Sequence, residues 1–264
     1  MTAVKQHSRL DVHLVDKGAV ESRQKAQALV MAGRVLVDGR RADKPGSRVA
    51  AGAAIEIAPG PAHVGRGALK LGPALDRFGI DPTGLVCVDV GASTGGFTEV
   101  LLTRGAARVY TVDVGRGQLH EKLARDPRVI VVDRFNARQL SEKEIPEPCA
   151  LGVVDVSFIS VCKILPALLS VTSAESELVV LVKPQFELER NAVGRGGIVR
   201  EPALHHRALS VVAECARADH GLGIAGAAAS AVKGARGNRE FFLHLTREPI
   251  ETDHAALIEE AARE

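Results

Sequence analysis

Lys183 interrupts an apolar run, "VLVKPQFE", directly before a proline that cannot continue a strand ladder. An ammonium at the end of a buried strand is costly unless it is paired or chemically employed. Asp155 ends a second such run in "VVDVSFIS". A third, "GLVCVDV", carries Asp89 and passes straight into "GASTGGF". Gly91, Gly95 and Gly96 sit there within six residues, and strand, glycine turn and helix in succession present backbone N–H groups to a ligand. The next apolar run ends in Asp113, 22 residues after Gly91, where a carboxylate can accept both hydroxyls of a ribose. Asn136, in "DRFNARQL", follows a further strand and either faces an adenine edge or simply forms a turn.

The glycine loop narrows the ligand. The dinucleotide fingerprint needs a second glycine where this chain has Ser93, and the lysine-bearing phosphate loop is absent. What remains suits a ligand with an amino-acid portion, its carboxylate near helix-end N–H groups and its ammonium near an acid. S-adenosylmethionine is such a ligand, although Asp113 alone would serve NAD equally well. No cysteine or serine nucleophile stands out. None of the nine histidines forms an HxH or HxxxH group, and His205-His206 reads as a solvated pair on a surface helix. The four cysteines are scattered, so no structural metal and a reducing cytoplasm are expected.

These residues need a sheet to hold them. Strands are expected at 85–90, 108–113, 129–133, 151–156, 178–183, 222–229 and 241–246, with helices near 97–105, 117–125, 160–171 and 202–219. The first five are near-continuous β-branched runs, as in a parallel sheet covered on both faces. The class is therefore α/β, a seven-stranded doubly wound Rossmann-like domain. A small α+β domain precedes it: a helix with Leu10, Leu14 and Val15, a second capped by Ser22 with Ala26, Leu29 and Val30, then a strand ending in an Asp38-Gly39 turn and a second short strand around Ile55 and Ile57. The expected boundaries are 1–60, a Pro/Gly linker at 61–66 and the main domain at 67–264. Residues 1–66 carry net +5 and the remainder −3, so the small domain is the part suited to a polyanion. No apolar run approaches the roughly 20 residues of a membrane helix. With aromatics at 3% and no Trp, the core must be aliphatic.

Two resemblances follow. "RLDVHLVDKGAVESRQKAQALVMAGRVLVDGRRADKPGSRV" is similar to an RNA-binding module first described in a small-subunit ribosomal protein, with R-L-D, S-R-x-x-A, G-x-V-x-V-x-G and K-P all present. The resemblance implies RNA contacts from Arg9, Arg23, Lys25, Arg34 and Lys44, with Arg66 at the end of the linker; ordinary solvated cations are the alternative. The second part resembles the FtsJ-like ribose methyltransferases, and the whole chain the TlyA (hemolysin A) family of rRNA 2′-O-methyltransferases, through "DVGASTGGFTEVLLTRGA", "DVGRGQL", "DPRV", "NAR", "DVSFIS", "LVKPQFE", "VGRGGIV" and "GNREFFLHL".

That resemblance implies a catalytic set of Lys70, Asp155, Lys183 and Glu240, with Lys183 as base towards a 2′-hydroxyl. It implies S-adenosylmethionine held by Asp89, Gly91, Ser93, Thr94, Gly95, Gly96, Phe97, Asp113, Asn136 and Asp155. The implied substrate is cytidine in the rRNA of 30S and/or 50S subunits, both being expected. No membrane or metal partner is expected, and a monomer is. The alternative is a non-catalytic RNA-binding scaffold. The chain departs from the family pattern at His63 and Gly65, where an aromatic and a serine are usual, at Arg116, and in the basic "SAVKGARGN", which replaces a Pro-rich loop.

Overall fold

The computed structural model describes residues 7–59, 63–250 and 252–264, so residues 60–62, spanning the expected domain boundary and the start of the expected linker, lie outside it. The chain divides into two compact units, 1–62 and 63–264.

The first unit runs β1 (His7–Arg9), α1 (Leu10–Asp16), α2 (Arg23–Met31), β2 (Val35–Val37), β3 (Arg40–Arg41), β4 (Arg48–Ala50) and β5 (Ile55–Ile57). Ser22 caps α2 by accepting from the Lys25 N–H, as its residue type requires. Asp38 and Gly39 both take left-handed backbone, closing the β2–β3 hairpin. β2 is the centre of a three-stranded antiparallel sheet, and β1 pairs with β4. The two expected strands, β2 and β5, are part of a set of five short ones; β2 and β5 carry the apolar residues Val35, Val37, Ile55 and Ile57, whereas β1, β3 and β4 are mostly polar or basic. Leu10, Leu14, Ala26, Val30, Val35 and Val49 form the core.

The second unit contains α3 (Ala68–Phe78), β6 (Val86–Val90), α4 (Gly96–Thr103), β7 (Arg108–Asp113), α5 (Glu121–Ala124), β8 (Val129–Asp133), β9 (Cys149–Val154), α6 (Leu165–Ser170), β10 (Thr172–Val182), α7 (Pro184–Glu187), α8 (Pro202–Glu214), β11 (Gly223–Ala229), β12 (Phe241–Thr246) and α9 (His254–Arg263). The seven strands join in the order β11-β12-β10-β9-β6-β7-β8. All neighbours are parallel except β12, which is antiparallel to both β10 and β11. Two apolar clusters lie on opposite faces. Leu71, Leu75, Leu101 and Phe242 build one, under α3 and α4; Leu165, Leu168, Leu209, Val212 and Ile258 build the other, under α6, α8 and α9.

The helix expected at 117–125 shrinks to Glu121–Ala124, and that at 160–171 divides into a tight turn (Val161–Lys163) and α6. His205 is not solvated. It is 1% exposed, its Nε2 3.1 Å from the Val199 carbonyl and its ring against Phe241. The helix face was assigned correctly for His206 alone, because the pair straddles the boundary between the buried and exposed stripes of α8.

Candidate active site

The chain moves outward from β6 to β7 and β8, then returns to β9 on the other side of β6. That reversal leaves a crevice beyond the carboxyl ends of β6 and β9, where open α/β sheets take their ligands. A cavity of ≈ 510 Å³ occupies it, lined by Gly91, Ser93, Asp113, Asn136, Asp155 and Phe158 among others. Gly91 has φ +86°, and a Cβ there would stand 2.4 Å from the Asp155 carbonyl oxygen. Only glycine allows the two strand ends to approach this closely.

Lys70, Asp155, Lys183 and Glu240 converge beside this cavity. Lys183 Nζ lies 2.5 Å from Asp155 Oδ1 and donates to Ser157 Oγ at 3.0 Å. Lys70 Nζ lies 2.8 Å from Glu240 Oε2 and 3.5 Å from Asp155 Oδ2. Lys70, Lys183 and Glu240 are each under 9% exposed, so two ammonium groups and two carboxylates balance each other out of water. Asp155 and Lys183 follow the last residues of parallel strands β9 and β10. Glu240 reaches the same edge because β12 is antiparallel: its first residue, Phe241, pairs with Val182, the last of β10. Lys70 is delivered by α3, whose entry packs on the glycine loop. A Cβ on Gly96 would meet Gly67 Cα and the Ala68 nitrogen at 2.9 Å, and one on Gly65 would meet Thr94 Oγ1 at 2.3 Å.

The expected ligand contacts separate into two groups. Gly91, Ser93, Asp113, Asn136 and Asp155 line the large cavity. Thr94, Gly96 and Phe97 line a smaller adjoining one with Lys70 and Arg66. Asp113 accepts the Ser93 N–H through Oδ2 at 2.8 Å and the Gly115 N–H through Oδ1 at 2.7 Å. Asn136 Oδ1 caps a turn by accepting from Arg138 N at 3.2 Å, so it is both a turn former and a cavity residue.

Asp89 and Gly95 line neither cavity. Asp89 is fully buried beneath the loop, its Oδ2 accepting from Thr98 N at 2.9 Å and Thr98 Oγ1 at 2.6 Å, which pins the first turn of α4. Burial pushes its carboxyl up to about 7; the charges of Asp155 and Asp113 act the same way, against the Thr98 hydrogen bonds. A Cβ on Gly95 would strike Leu119 and Leu123 within 2.6 Å, so its glycine serves packing.

Sequence reasoning missed Ser157, Phe158, Glu187, Asn238 and Asp11. Phe158 has left-handed backbone (φ +65°) and is 89% exposed, its ring centroid 5.0 Å from that of Phe186. Glu187 accepts from Ser160 Oγ at 2.5 Å and Val161 N at 2.9 Å, tying "KPQFE" to "SFIS"; burial raises its carboxyl above the usual range. Their places in the quoted strings were the available signal.

In the first unit Arg9 and Arg23 are committed to a carboxylate the sequence did not single out. Asp11, fully buried, accepts from Arg9, from Arg23 Nε at 2.9 Å and from Gln27 Nε2 at 2.8 Å. Arg34 donates twice to the Ala58 carbonyl. Lys25 pairs with Glu21, while Lys44 is exposed. Arg66, in the second unit, donates to the Lys233 carbonyl at 2.7 Å. Among the described residues no group of three or more His, Cys, Asp or Glu could hold a metal, and no helix is long and apolar enough to cross a membrane.

Comparison with known proteins assigns each unit to a family. Residues 63–247 match the FtsJ-like methyltransferases and residues 8–55 the S4 domain. The chain is 47% identical over 251 residues to the 16S/23S rRNA (cytidine-2′-O)-methyltransferase TlyA of Mycobacterium tuberculosis, covering 94% of this chain and 92% of that one. It is 38% identical over 245 residues to Hemolysin A of Brachyspira hyodysenteriae, covering 90% and 99%. A solved hemolysin structure from Streptococcus thermophilus superposes with a TM-score of 0.74 at 37% identity, covering 98% of this chain and 96% of that one. With an S4 domain ahead of an FtsJ-like domain and full-length relatives of this kind, the chain belongs to the TlyA family of FtsJ-like rRNA methyltransferases.

Proposed function

We propose that this chain transfers a methyl group from S-adenosylmethionine to the 2′-hydroxyl of a cytidine in ribosomal RNA, within 30S and/or 50S subunits. The observation that carries this reading is the Lys70–Asp155–Lys183–Glu240 quartet at the rim of the cavity. When bound, S-adenosylmethionine supplies a methyl group already activated on a sulfonium. The cavity suits it. Val112, Phe135 and Ile159 offer apolar walls for adenine, and the ribose hydroxyls would meet Asp113, whose two oxygens accept one backbone N–H each and have acceptor capacity to spare. The amino-acid end would lie by the glycine loop and the first turn of α4.

The protein's share is to orient the ribose and take a proton. A 2′-hydroxyl is a poor nucleophile until its proton leaves, and Lys183 Nζ, as the neutral amine after giving its own proton to solvent, is the assigned acceptor. Lys70 stands between two carboxylates, Glu240 and Asp155, whereas Lys183 faces one carboxylate and the Ser157 hydroxyl. Lys70 is thus the more tightly held of the two, and Lys183 is the one assigned to the substrate proton. Asp155 bridges the two and sets their spacing. Phe158 presents an exposed ring at the rim, on the side from which a nucleotide would enter. Exposed Lys25 and Lys44, and the outer faces of Arg9 and Arg23, would hold structured RNA through its backbone. The reaction belongs where ribosomal RNA is, in the cytoplasm.

The test uses methyl-labelled S-adenosylmethionine with separated 30S and 50S subunits. Wild-type protein should label rRNA; Lys183→Ala should lose at least about 100-fold in single-turnover rate while still binding S-adenosylmethionine. Absence of label from the wild type rejects the reaction. Full activity in Lys183→Ala rejects the assignment of the base.

A further inference from the structure

The basic "SAVKGARGN" loop and the "VGRGGIV" loop are absorbed by neither the cavity nor the quartet, yet they are locked together. Asn238, 3% exposed, accepts from Val199 N at 2.9 Å and donates to the Gly197 carbonyl at 2.8 Å. The Arg236 guanidinium donates to the Gly196 carbonyl at 2.6 Å, and Gly234 N donates to the Asn238 carbonyl at 2.8 Å. Arg66 closes the set from a third segment through its bond to the Lys233 carbonyl. Arg236 itself holds left-handed backbone, φ +57°, a conformation that persists in a non-glycine residue only where its surroundings over-determine it.

The assembly adjoins the quartet. A Cβ on Gly234 would lie 1.8 Å from Glu240 Oε1, so the loop backbone rests directly on the carboxylate that holds Lys70. Its charge is one-sided. Arg66, Arg195, Lys233 and Arg236 are all exposed, and none is in an ion pair among the described residues. Elsewhere on this unit Arg77, Arg104, Arg108, Arg125, Arg128, Arg217 and Arg263 each face a carboxylate, while others such as Arg116 and Arg207 are in no ion pair among the described residues. The loops differ in gathering their cations on segments bonded to one another beside Glu240. Neither loop string contains an Asp or Glu. Unpaired cations gathered on a rigid backbone are what a polyanion requires, since each phosphate contact then releases a counterion without first breaking an ion pair.

From this arrangement we infer that the two loops form a phosphate clasp, in which Arg195, Lys233 and Arg236 grip the RNA backbone beside the reacting ribose. The clasp rests on the reading of the site as an RNA methyltransferase and names the part of the second unit that positions its substrate. It sits on the carboxylate of the quartet, so docking of the backbone and presentation of the 2′-hydroxyl are one event.

The test measures binding of the full chain to 30S and 50S subunits across a salt titration, alongside label transfer at saturating protein. Lys233→Gln/Arg195→Gln removes two cations whose side chains take no part in tying the loops. Adding Arg236→Asn removes the third, with a residue that tolerates left-handed backbone. The double variant should bind about tenfold more weakly, and the slope of log affinity against log salt should fall by about 1–2, with a further drop in the triple variant. Transfer at saturating protein should fall together with affinity, because the clasp also presents the 2′-hydroxyl. Wild-type affinity and slope in both variants would overturn the clasp, as would slower saturated transfer at unchanged affinity, which would make the loops a support for Glu240 only. A wild type that binds subunits but transfers no label would reject the methyltransferase reading, while the salt slopes would still decide the clasp.

Discussion

Asp89→Asn separates a buried scaffold role from ligand contact. Asp89 is fully buried and its carboxyl is pushed up to about 7 from the ordinary 3.8. At about 1.4 kcal/mol per pH unit, that difference corresponds to about 4 kcal/mol between the neutral and charged forms. The folded state favours the protonated acid. Its contribution to stability is therefore complete below pH 3.8 and is lost progressively as pH rises to about 7. Asparagine has the same shape, accepts the Thr98 N–H and hydroxyl in the same way, and does not titrate. The stability of Asp89→Asn relative to wild type should accordingly rise by about 2–3 kcal/mol between pH 5 and pH 8 and then level off. For a chain of this size that is about 5–10 °C in Tm, readable by thermal denaturation at a series of pH values. Because Asp89 lines neither cavity, the Kd for S-adenosylmethionine should change by no more than a few-fold. A stability difference that does not vary with pH would refute the reasoning about burial. A large loss of affinity at unchanged stability would return Asp89 to the ligand.

Other perturbations test the packing that aims the site. Gly96→Ala places a Cβ against Gly67 and Ala68 at the start of α3; the overpacking should cost about 1–3 kcal/mol in denaturant unfolding. If α3 shifts by about 1 Å, Lys70 moves with it and single-turnover transfer should fall about 100-fold at preserved RNA affinity. In the first unit, arginine hydrogen bonds hold the Asp11 carboxyl well below the usual carboxylate range. Its stabilisation is present above pH 3.8 and is lost as pH falls towards the folded value, so Asp11→Asn should speed amide exchange in α1 and α2 at pH 7 and remove the acid dependence seen in wild type. Wild-type exchange in the variant would show that Arg9 and Arg23 are not anchored through Asp11.

How much of this was legible beforehand depends on the range of the interaction concerned. Helix caps, turns and strands obey local rules. Ser22, the Asp38-Gly39 turn and the seven apolar runs of the main sheet were readable because each is dictated by residues within a few positions. Asp155 and Lys183 were readable as strand-end residues for the same reason, since a charge closing an apolar run needs a purpose. Asp89 looked identical by that rule, and its burial depends on α4 folding back to place Thr98 over it. His205 and His206 were indistinguishable until α8 packed with one of them against Phe241.

By itself the sequence determined the seven strands of the main sheet, the charged residues that close two of them, and that a small basic domain precedes a doubly wound sheet. The family resemblance grouped Glu240 and Lys70 with Asp155 and Lys183, but it is the tertiary structure that brings the four side chains together. Glu240 arrives because β12 runs against its neighbours, and pairing of Phe241 with Val182 puts the start of one strand beside the end of another. Lys70 arrives because Gly96, where a Cβ would stand 2.9 Å from Gly67 Cα and the Ala68 nitrogen, and Gly65, where one would stand 2.3 Å from Thr94 Oγ1, let the start of α3 rest on the glycine loop. Both are contacts between residues from about 30 to about 170 positions apart, and periodicity, which reports only neighbours along the chain, contains no term for them.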